Sequence, residues 1–322
     1  MENKEKLLEV KDLHVEFETE RATVHALNGV NLTVYKGESL GLVGESGAGK
    51  TTTALSALKL LPKAGKIKGG DILFKGKSVY EMSHKELLDM RGHRISMIFQ
   101  NPLTSLNPVF TVGEQIAMVL RQHLKMNKKE AKERAGDLLE SVGIARYRLN
   151  DYPSQFSGGM RQRVGIAAGI ACNPELLIAD EPTTALDVTI QAQILELMKR
   201  LQKEYNTSLL MITHNLGIIS ELCEWVAVMY AGRIIEYGSV EAVFSAPMHP
   251  YTVGLLGALP KLEGERKRLT AIPGVVANPQ NLPEGCRFHP RCEHCTQRCR
   301  TEQPRMVRLA DDHYVECFGH EN

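Results

Sequence analysis

The chain lacks an excess of charge of either sign, because 39 Lys and Arg residues stand against 38 Asp and Glu residues, a formal net charge of +1. No overall electrostatic attraction therefore favours nucleic acid or an anionic membrane, and any such partner must bind through a local patch. The chain also lacks an apolar run of the roughly 18 residues that a membrane span needs. Its start, MENKEKLLEV, lacks the apolar core of a signal peptide. We expect a protein that stays in the cytoplasm.

Internal repeats and low-complexity tracts are also absent from the sequence, and its cysteines are unevenly spread. Seven cysteines in a cytoplasmic chain argue against a disulfide framework. Cys172 and Cys223 are solitary, whereas the last part of the chain contains Cys286, Cys292, Cys295, Cys299 and Cys317. A length of 322 residues exceeds one average domain, so we expect one large domain and a smaller appendage.

Apolar patterns predict a strand-rich beginning, a helical insert and a second series of strands. Early strand-like runs include LLEVKDLHVEF and SLGLVG, and the helix TTTALSALKLL is expected to stop at Pro62. Helical spacing marks an insert at about residues 101–172. The strands ELLIAD, SLLMIT and WVAVMY then alternate with helices, which predicts a largely parallel sheet. Proline becomes more frequent after about residue 245, so we divide the chain into residues 1–245 and 246–322.

A glycine-rich segment, GESGAGKTT, fits the pattern G-x4-G-K-[ST] and lies between a predicted strand and a predicted helix, the context that this pattern requires. Its backbone N–H groups can converge on phosphate oxygens, and the following helix adds its positive end. Lys50 would reach the β and γ phosphates, and the Thr51 hydroxyl would bind Mg²⁺. The predicted nucleotide-binding residues of this loop are Gly44, Glu45, Ser46, Gly47, Ala48, Gly49, Lys50, Thr51 and Thr52.

The segment LLIADEP is an apolar strand that ends in two acids, Asp180 and Glu181. Unpaired carboxylates are costly to desolvate, so this strand end favours a nearby cation or a reacting water. We assign Asp180 to the Mg²⁺ shell and Glu181 to polarising the attacking water. Considered alone, the two acids could instead cap the next helix.

Two further strand ends carry polar side chains, Gln100 after ISMIF and His214 in MITHN. Strand ends in such a sheet line the ligand crevice. Gln100 would sense Mg²⁺ and water at the start of the helical insert. His214 would contact the γ phosphate or orient Glu181 and the water, although a lone histidine is more often structural.

A second glycine segment, FSGGMRQR, begins at Phe156. The ordered series GESGAGKTT, Gln100, FSGGMRQR, LLIADEP, TALD and His214 resembles the ATPase subunit of an ATP-binding cassette (ABC) transporter, over roughly residues 5–245. The family's commonest form of the second segment is Leu-Ser-Gly-Gly-Gln, and Phe156 and Met160 replace its outer residues here. The resemblance implies an α/β fold of the phosphate-loop NTPase type. It comprises a parallel-sheet core, an N-terminal antiparallel β subdomain, an inserted helical subdomain and a small Cys-rich C-terminal extension.

The resemblance also implies that two cassettes pair head to tail. Ser157, Gly158 and Gly159 of one chain would then cover the γ phosphate that the phosphate loop of the other chain holds, which suits the positive end of the helix that begins there. An aromatic residue upstream of the loop, here Phe17, would stack on the adenine. Asp187 of TALD would lie at the nucleotide as well.

The segment HPYT, at His249, followed by VGLLGAL and the cysteines, resembles the C-terminal extension of the oligopeptide and dipeptide importer subfamily, whose members also serve nickel and glutathione. The subfamily's cysteine pattern is associated with a 4Fe-4S cluster and is similar to the positions of Cys286, Cys292, Cys299 and Cys317. Cys295 is extra and makes a Cys-x2-Cys pair with Cys292, a spacing usual for zinc. A 4Fe-4S cluster, a zinc ion and no metal all remain open.

These observations predict an ATP-hydrolysing, transport-coupled subunit that energises import of dipeptides, oligopeptides or related small solutes. It would lie at the cytoplasmic face of the membrane. Its partners would be a second cassette, identical or related, two transmembrane permease subunits and, indirectly, an extracytoplasmic peptide-binding protein, but no nucleic acid. The alternatives are an ABC-type ATPase of DNA repair or translation, or an importer of nickel or glutathione. A binding module that does not hydrolyse ATP would be expected to lack Glu181 or His214, and both are present.

Overall fold

The computed structural model describes residues 4–20, 22–100, 105–184, 186–258, 272–310 and 312–321. Its strands are β1 (Lys6–Glu18), β2 (Thr23–Tyr35), β3 (Ser39–Val43), β4 (Gly65–Phe74), β5 (Lys77–Ser78), β6 (Ile95–Ile98), β7 (Leu176–Asp180), β8 (Ser208–Thr213), β9 (Trp225–Tyr230), β10 (Arg233–Ser239), β11 (Met306–Ala310) and β12 (His313–Glu316).

The α-helices are α1 (Lys50–Ala57), α2 (His84–Met90), α3 (Val112–Leu124), α4 (Lys128–Ser141), α5 (Gly158–Ile170), α6 (Val188–Tyr205), α7 (Leu216–Leu222), α8 (Val240–Ser245), α9 (Pro250–Gly257) and α10 (Gln297–Thr301). Short 3-10 helices cover Arg146–Asn150, Pro153–Gln155, His289–Arg291 and Phe318–His320. Within the described ranges, every helix is too short or too polar to span a lipid bilayer.

The chain divides into two compact units. The first unit comprises Met1–Leu7, Val34–Ser39 and Glu81–Ile212, and the second comprises Leu8–Thr33, Leu40–Tyr80 and Thr213–Asn322. The predicted boundary at residue 245 remains a prediction. Strand β12, which lies beyond that boundary, pairs with β10, which lies before it.

The first unit contains a parallel sheet in the order β6-β7-β8 and the helices α2 to α6. All residues of β7 are buried, as parallel strands covered on both faces require. Helices α3, α4 and α5 confirm the predicted helical insert, and Thr111, Asn127 and Ser157 cap their N-termini. The parallel arrangement brings the carboxyl ends of β6 and β7 to the same edge.

The second unit contains two sheets. An antiparallel sheet has the order β2-β1-β4-β5, which matches the expected N-terminal β subdomain. In the other, β3 runs parallel to β9, whereas β9, β10, β12 and β11 pair successively in antiparallel fashion. The α/β fold is therefore confirmed. The sheet is less parallel than the strand and helix alternation alone predicts, because hairpins follow β9.

Helix α1 ends earlier than the sequence predicts, at Ala57 rather than near Pro62. Lys59 adopts a left-handed conformation with φ of 52°. The N–H of Leu60 donates to the Leu55 carbonyl at 2.8 Å, and the N–H of Lys59 donates to the Ser56 carbonyl at 2.9 Å. These bonds form a Schellman motif, which terminates the helix before proline can do so.

Candidate nucleotide site

The predicted phosphate loop follows β3, all of whose residues are buried. Gly49 directly precedes α1 with φ of 108°, and a Cβ at this position would lie 2.8 Å from the Ala26 carbonyl oxygen. A Cβ at Gly44 would lie only 2.2 Å from the Met229 carbonyl oxygen. Only glycine fits these two positions, so the loop curls tightly against the strands and leads into the positive end of α1.

Lys50 begins α1 and is 6% exposed. Its Nζ donates to the carbonyl oxygens of Gly44, at 2.7 Å, and of Glu45, at 3.1 Å. The ammonium group therefore lies inside the curve of the loop, where phosphate oxygens can replace carbonyl oxygens as its partners. Thr51 is exposed beside it at the start of the helix.

Glu45 of the loop makes two long-range contacts that the sequence does not predict. Its N–H donates to the Tyr251 hydroxyl oxygen at 3.0 Å. Its carboxylate accepts from Arg291, with 2.7 Å between Nη1 and Oε2 and 3.3 Å between Nη2 and Oε1. No local spacing signals either contact, because Tyr251 and Arg291 lie 206 and 246 positions further along the chain.

Phe17, the predicted adenine contact, lies on β1 and is half-buried. It pairs with Gly65 on β4, and a Cβ at that glycine would come within 3.1 Å of Phe17 Cε1. The missing side chain at position 65 gives the ring its space. The stacking role of Phe17 stays a prediction.

Glu181 lies where β7 ends and contacts Gln100, which follows β6. Gln100 Nε2 donates to Glu181 Oε2 at 2.7 Å, and the Thr184 hydroxyl donates to the same oxygen at 3.0 Å. Glu181 has φ of 45°, an uncommon conformation for a residue with a side chain, and its N–H donates to the Ile212 carbonyl at 2.8 Å. Asp180, the last residue of β7, is 3% exposed. The structure thus brings Gln100 and Glu181 together. It also adds Thr184 as a second donor to the Glu181 carboxylate, and the sequence signals this contact through the position of Thr184, three residues after Glu181.

The segment that contains Ser157 leads into α5 at the surface of the first unit. Ser157 and Gly158 are exposed, whereas Phe156 is only 3% exposed. The guanidinium carbon of Arg148 lies over the Phe156 ring, 4.2 Å from the ring centroid. Phe156 therefore anchors the segment, and the replacement of leucine by phenylalanine leaves Ser157 accessible. The Ser157 hydroxyl oxygen also accepts from the Met160 N–H at 3.4 Å, a helix cap.

Asp187 and His214 have different surroundings. Asp187 caps α6, because its carboxylate accepts from the Ile190 N–H at 3.0 Å. His214 directly follows β8 and is exposed. The structure gives Asp187 a capping role, and a nucleotide contact for either residue stays a prediction. Asp180, Glu181, Gln100 and Ser157 belong to the first unit, and the phosphate loop, Phe17 and His214 belong to the second.

Four predicted ligand cysteines line one cavity of about 250 Å³ in the second unit: Cys286, Cys292, Cys299 and Cys317. Cys295 is absent from its lining and instead lies 3.5 Å from the Thr296 carbonyl oxygen. Burial, reinforced by the neighbouring cysteines, raises the pKa of Cys286 to about 12, and burial also raises the pKa values of Cys292 and Cys317.

The four cysteines carry suitable donor atoms for a metal group, but their side chains are not close enough together in space to bind one. Among the described residues, no three His, Cys, Asp or Glu side chains are close enough together to hold a metal ion. The predicted 4Fe-4S or zinc site is therefore unsupported by the structure. The thiols share a cavity, but they do not form a finished coordination shell.

The phosphate loop, the buried acid at the end of β7 and the Gln100 to Glu181 contact define the class of protein as an ATPase of the phosphate-loop type. A family model described as ABC transporter matches residues 27–184, and one described as the C-terminal region of oligopeptide/dipeptide transporters matches residues 235–299. The chain is 52% identical to the oligopeptide transport ATP-binding protein OppD of Bacillus subtilis, over 97% of this chain and 88% of that protein. It is 49% identical to AppD of the same organism, over 98% and 97%.

Solved structures agree with these matches. A dimeric ATP-binding cassette in a post-hydrolysis state with ADP and Pi is 27% identical, with a TM-score of 0.65, and the match covers 72% of this chain and 98% of that one. The chain belongs to the ABC transporter family of ATP-binding proteins, in the branch with the oligopeptide/dipeptide transporter C-terminal region. These relatives favour a transport ATPase over the DNA-repair and translation alternatives.

Proposed function

We propose that this chain hydrolyses ATP to drive uptake of oligopeptides or dipeptides through a membrane permease, and that it works at the cytoplasmic face of the membrane. The observation that carries this proposal is the match of residues 235–299 to the transporter C-terminal region, in the same chain as the ATPase match at residues 27–184. The relatives named for oligopeptide transport, and DppD of Bacillus subtilis, named for dipeptide transport and 48% identical, support the same solute class.

The sequence motifs support a division of labour among the site residues. Lys50 and the loop from Gly44 to Thr52 hold the phosphates, and Thr51, Asp180 and Gln100 bind Mg²⁺, which neutralises phosphate charge. Glu181 polarises the attacking water, because its carboxylate is held in place by neutral donors. His214 contacts the γ phosphate, and Phe17 stacks on the adenine.

ATP is enclosed only when this chain pairs with a second cassette, identical or related. The exposed Ser157 hydroxyl and the N-terminus of α5 support this arrangement, since both offer anion contacts at the surface of the first unit. Two permease subunits and an extracytoplasmic binding protein complete the proposed transporter.

Uptake measurements test the solute. A strain that lacks this chain should lose uptake of labelled dipeptides or oligopeptides, and the natural chain should restore it whereas Glu181→Gln should not. Affinity purification from native membranes should recover a permease and a cassette. Normal peptide uptake combined with lost nickel or glutathione uptake would instead identify the alternative importer.

We further propose that the four-cysteine cavity holds a 4Fe-4S cluster. Four thiols on one cavity support it, because a cationic centre would deprotonate such thiols and hold them as thiolate ligands. Exclusion of Cys295 from the lining disfavours zinc at the Cys292 and Cys295 pair.

Metal analysis of anaerobically purified protein tests this proposal. We expect brown protein with about four iron atoms per chain. Cys299→Ser should lose the iron, whereas the matched variant Cys295→Ser should keep it. Colourless protein containing zinc that Cys295→Ser removes would show the zinc alternative to be right, and metal-free protein would refute both.

A further inference from the structure

We propose that Arg291 and Tyr251, both from the C-terminal extension, are positioning residues for ATP hydrolysis, because together they fix Glu45 and thereby the shape of the phosphate loop. The inference rests on the proposed role of residues 44–52 as that loop. It gives the extension a part in the chemistry, although the loop is the part of the proposed nucleotide site that Arg291 and Tyr251 contact.

Arg291 holds the Glu45 carboxylate with two N–H groups, and its own position is fixed. Its side chain is 4% exposed, against 28% for Glu45. Arg291 Nε donates to the Pro273 carbonyl at 3.0 Å, and Nη2 also lies 3.4 Å from the Ile272 carbonyl oxygen. A two-pronged contact from a buried guanidinium orients the carboxylate as well as attracting it. Glu45 therefore has little freedom to turn.

Tyr251 holds the backbone of the same residue. It is fully buried, and its hydroxyl oxygen accepts the Glu45 N–H at 3.0 Å. The ring packs against Tyr230, with centroids 4.8 Å apart, and against Phe288, with centroids 5.5 Å apart. Two aromatic neighbours lock the phenol, so the N–H of Glu45 points towards the extension.

Lys50 contacts the same peptide from the inside of the loop, through the Glu45 and Gly44 carbonyl oxygens. Glu45 is thus fixed at its N–H, its carbonyl and its carboxylate. The adjacent Gly44 packs tightly against β9, because a Cβ there would lie 2.2 Å from the Met229 carbonyl oxygen. A shift of Glu45 must therefore move the Lys50 ammonium, and misplacement of a catalytic group by about 1 Å can cost about 100-fold in rate.

The competing explanation is that Arg291 only fastens the extension to the rest of the unit. A second ion pair offers a matched control, because Arg233 on β10 holds Glu316 of the extension by two bonds, of 2.7 and 2.9 Å. The side chain of Glu316 is 5% exposed and that of Arg233 is 21% exposed, and within the described ranges neither side chain hydrogen-bonds to the phosphate loop. Fastening alone predicts similar effects for the two arginines.

The test uses the transporter complex, purified through a tag on this chain, and compares Arg291→Lys with Arg233→Lys. Each change keeps the charge and removes the two-pronged contact. We expect Arg291→Lys to lower kcat/KM for ATP by about tenfold, mainly in kcat, and Tyr251→Phe to act in the same direction. Arg233→Lys should lower the thermal midpoint about as much as Arg291→Lys does. It should nevertheless keep kcat/KM for ATP within about twofold of the wild-type value. Equal effects of the two arginine variants on kcat/KM would overturn the proposal.

Coupling between the two partners gives an independent readout. Glu45→Gln combined with Arg291→Gln should be no slower than the worse single variant, because both remove one interaction. If the rate losses of the two single variants multiply in the double variant, Glu45 and Arg291 do not act through one interaction. Lys50→Ala checks the underlying loop assignment: if it leaves binding of a fluorescent ATP analogue unchanged, the loop assignment fails, whatever Arg291 does.

Discussion

Gln100 Nε2 donates a hydrogen bond of 2.7 Å to Glu181 Oε2, joining the end of β6 to the end of β7. The amide therefore holds the carboxylate proposed to polarise water. A nucleotide that drew Gln100 towards Mg²⁺ would remove one of the two donors to this oxygen and leave the Thr184 hydroxyl, so the same contact can link nucleotide binding to activation of the carboxylate.

Replacing Glu181 by Gln should slow ATP hydrolysis by about 100-fold to 10,000-fold, the usual loss for a general base. The variant should still bind ATP, because its size is unchanged and Lys50 is untouched. It should then accumulate a closed pair of cassettes. Turnover assays and size-exclusion chromatography with ATP measure both effects, and wild-type turnover in the variant would rule out this role for Glu181.

Activity per chain should rise with protein concentration if, as proposed, each ATP is completed by Ser157 from a second cassette. Ser157→Ala and Ser157→Gly should both lower the plateau activity by at least about tenfold, the loss of a hydrogen bond to a charged group. Only the alanine variant should also lower the thermal midpoint, since glycine is tolerated as a helix cap. Full activity in dilute monomer, or in either variant, would contradict the shared site.

The two glycines after Ser157 should behave differently. A Cβ at Gly158 would lie 3.7 Å from Leu186 Cδ2, an ordinary contact, whereas one at Gly159 would lie 2.6 Å from Ile190 Cγ2. Gly158→Ala should thus lower ATPase activity with little change in thermal midpoint. Gly159→Ala should destabilise the protein by about 1–3 kcal/mol.

The Ile190→Ala background provides the control for this pair, because it removes the methyl group that Gly159→Ala would strike. The thermal midpoint lost through Gly159→Ala should be smaller in that background. An equal loss in both backgrounds would show that Ile190 is not the cause. A fall in midpoint for Gly158→Ala as large as that for Gly159→Ala would also contradict the structure.

The positions of Lys50, Gln100 and Glu181 at the ends of strands or in the phosphate loop can be predicted, because strand patterns and motifs are local features of the sequence. An apolar strand followed by polar residues predicts where those residues lie, since the ends of parallel strands share an edge. The pairing of Gln100 with Glu181 follows from that geometry. The end of α1 was missed because a left-handed lysine, rather than glycine or proline, terminates it.

Other features depend on long-range packing, for which the sequence has no local signal. The contacts of Tyr251 and Arg291 with Glu45 are of this kind, as is the approach of Ile190 to Gly159. The four cysteines that the family resemblance singles out line one cavity, and Cys295, which the spacing pairs with Cys292, is absent from its lining. The cysteine spacing does not determine whether a metal group joins the four thiols.

His249 should make the protein less stable in acid. Burial, aided by the charge of His320, lowers the pKa of His249 to about 3, against 6.5 for an ordinary histidine. Its Nδ1 accepts the Tyr251 N–H at 3.0 Å and caps α9, a bond that protonation would abolish. The unfolded chain binds this proton below pH 6.5 and the folded chain does not. The stabilisation is therefore complete above pH 6.5 and is lost as pH falls towards 3, by about 1.4 kcal/mol per pH unit.

The variant His249→Asn isolates this effect, because asparagine caps helices and does not titrate. Between pH 7 and pH 5, wild-type protein should lose about 2 kcal/mol more stability than the variant. The variant should be less stable at pH 7, since the smaller side chain leaves a cavity, so the informative quantity is the change with pH. Thermal midpoints of both proteins at both pH values measure it. Parallel declines would mean that the His249 imidazole is already protonated in the folded protein, or that it does not cap α9.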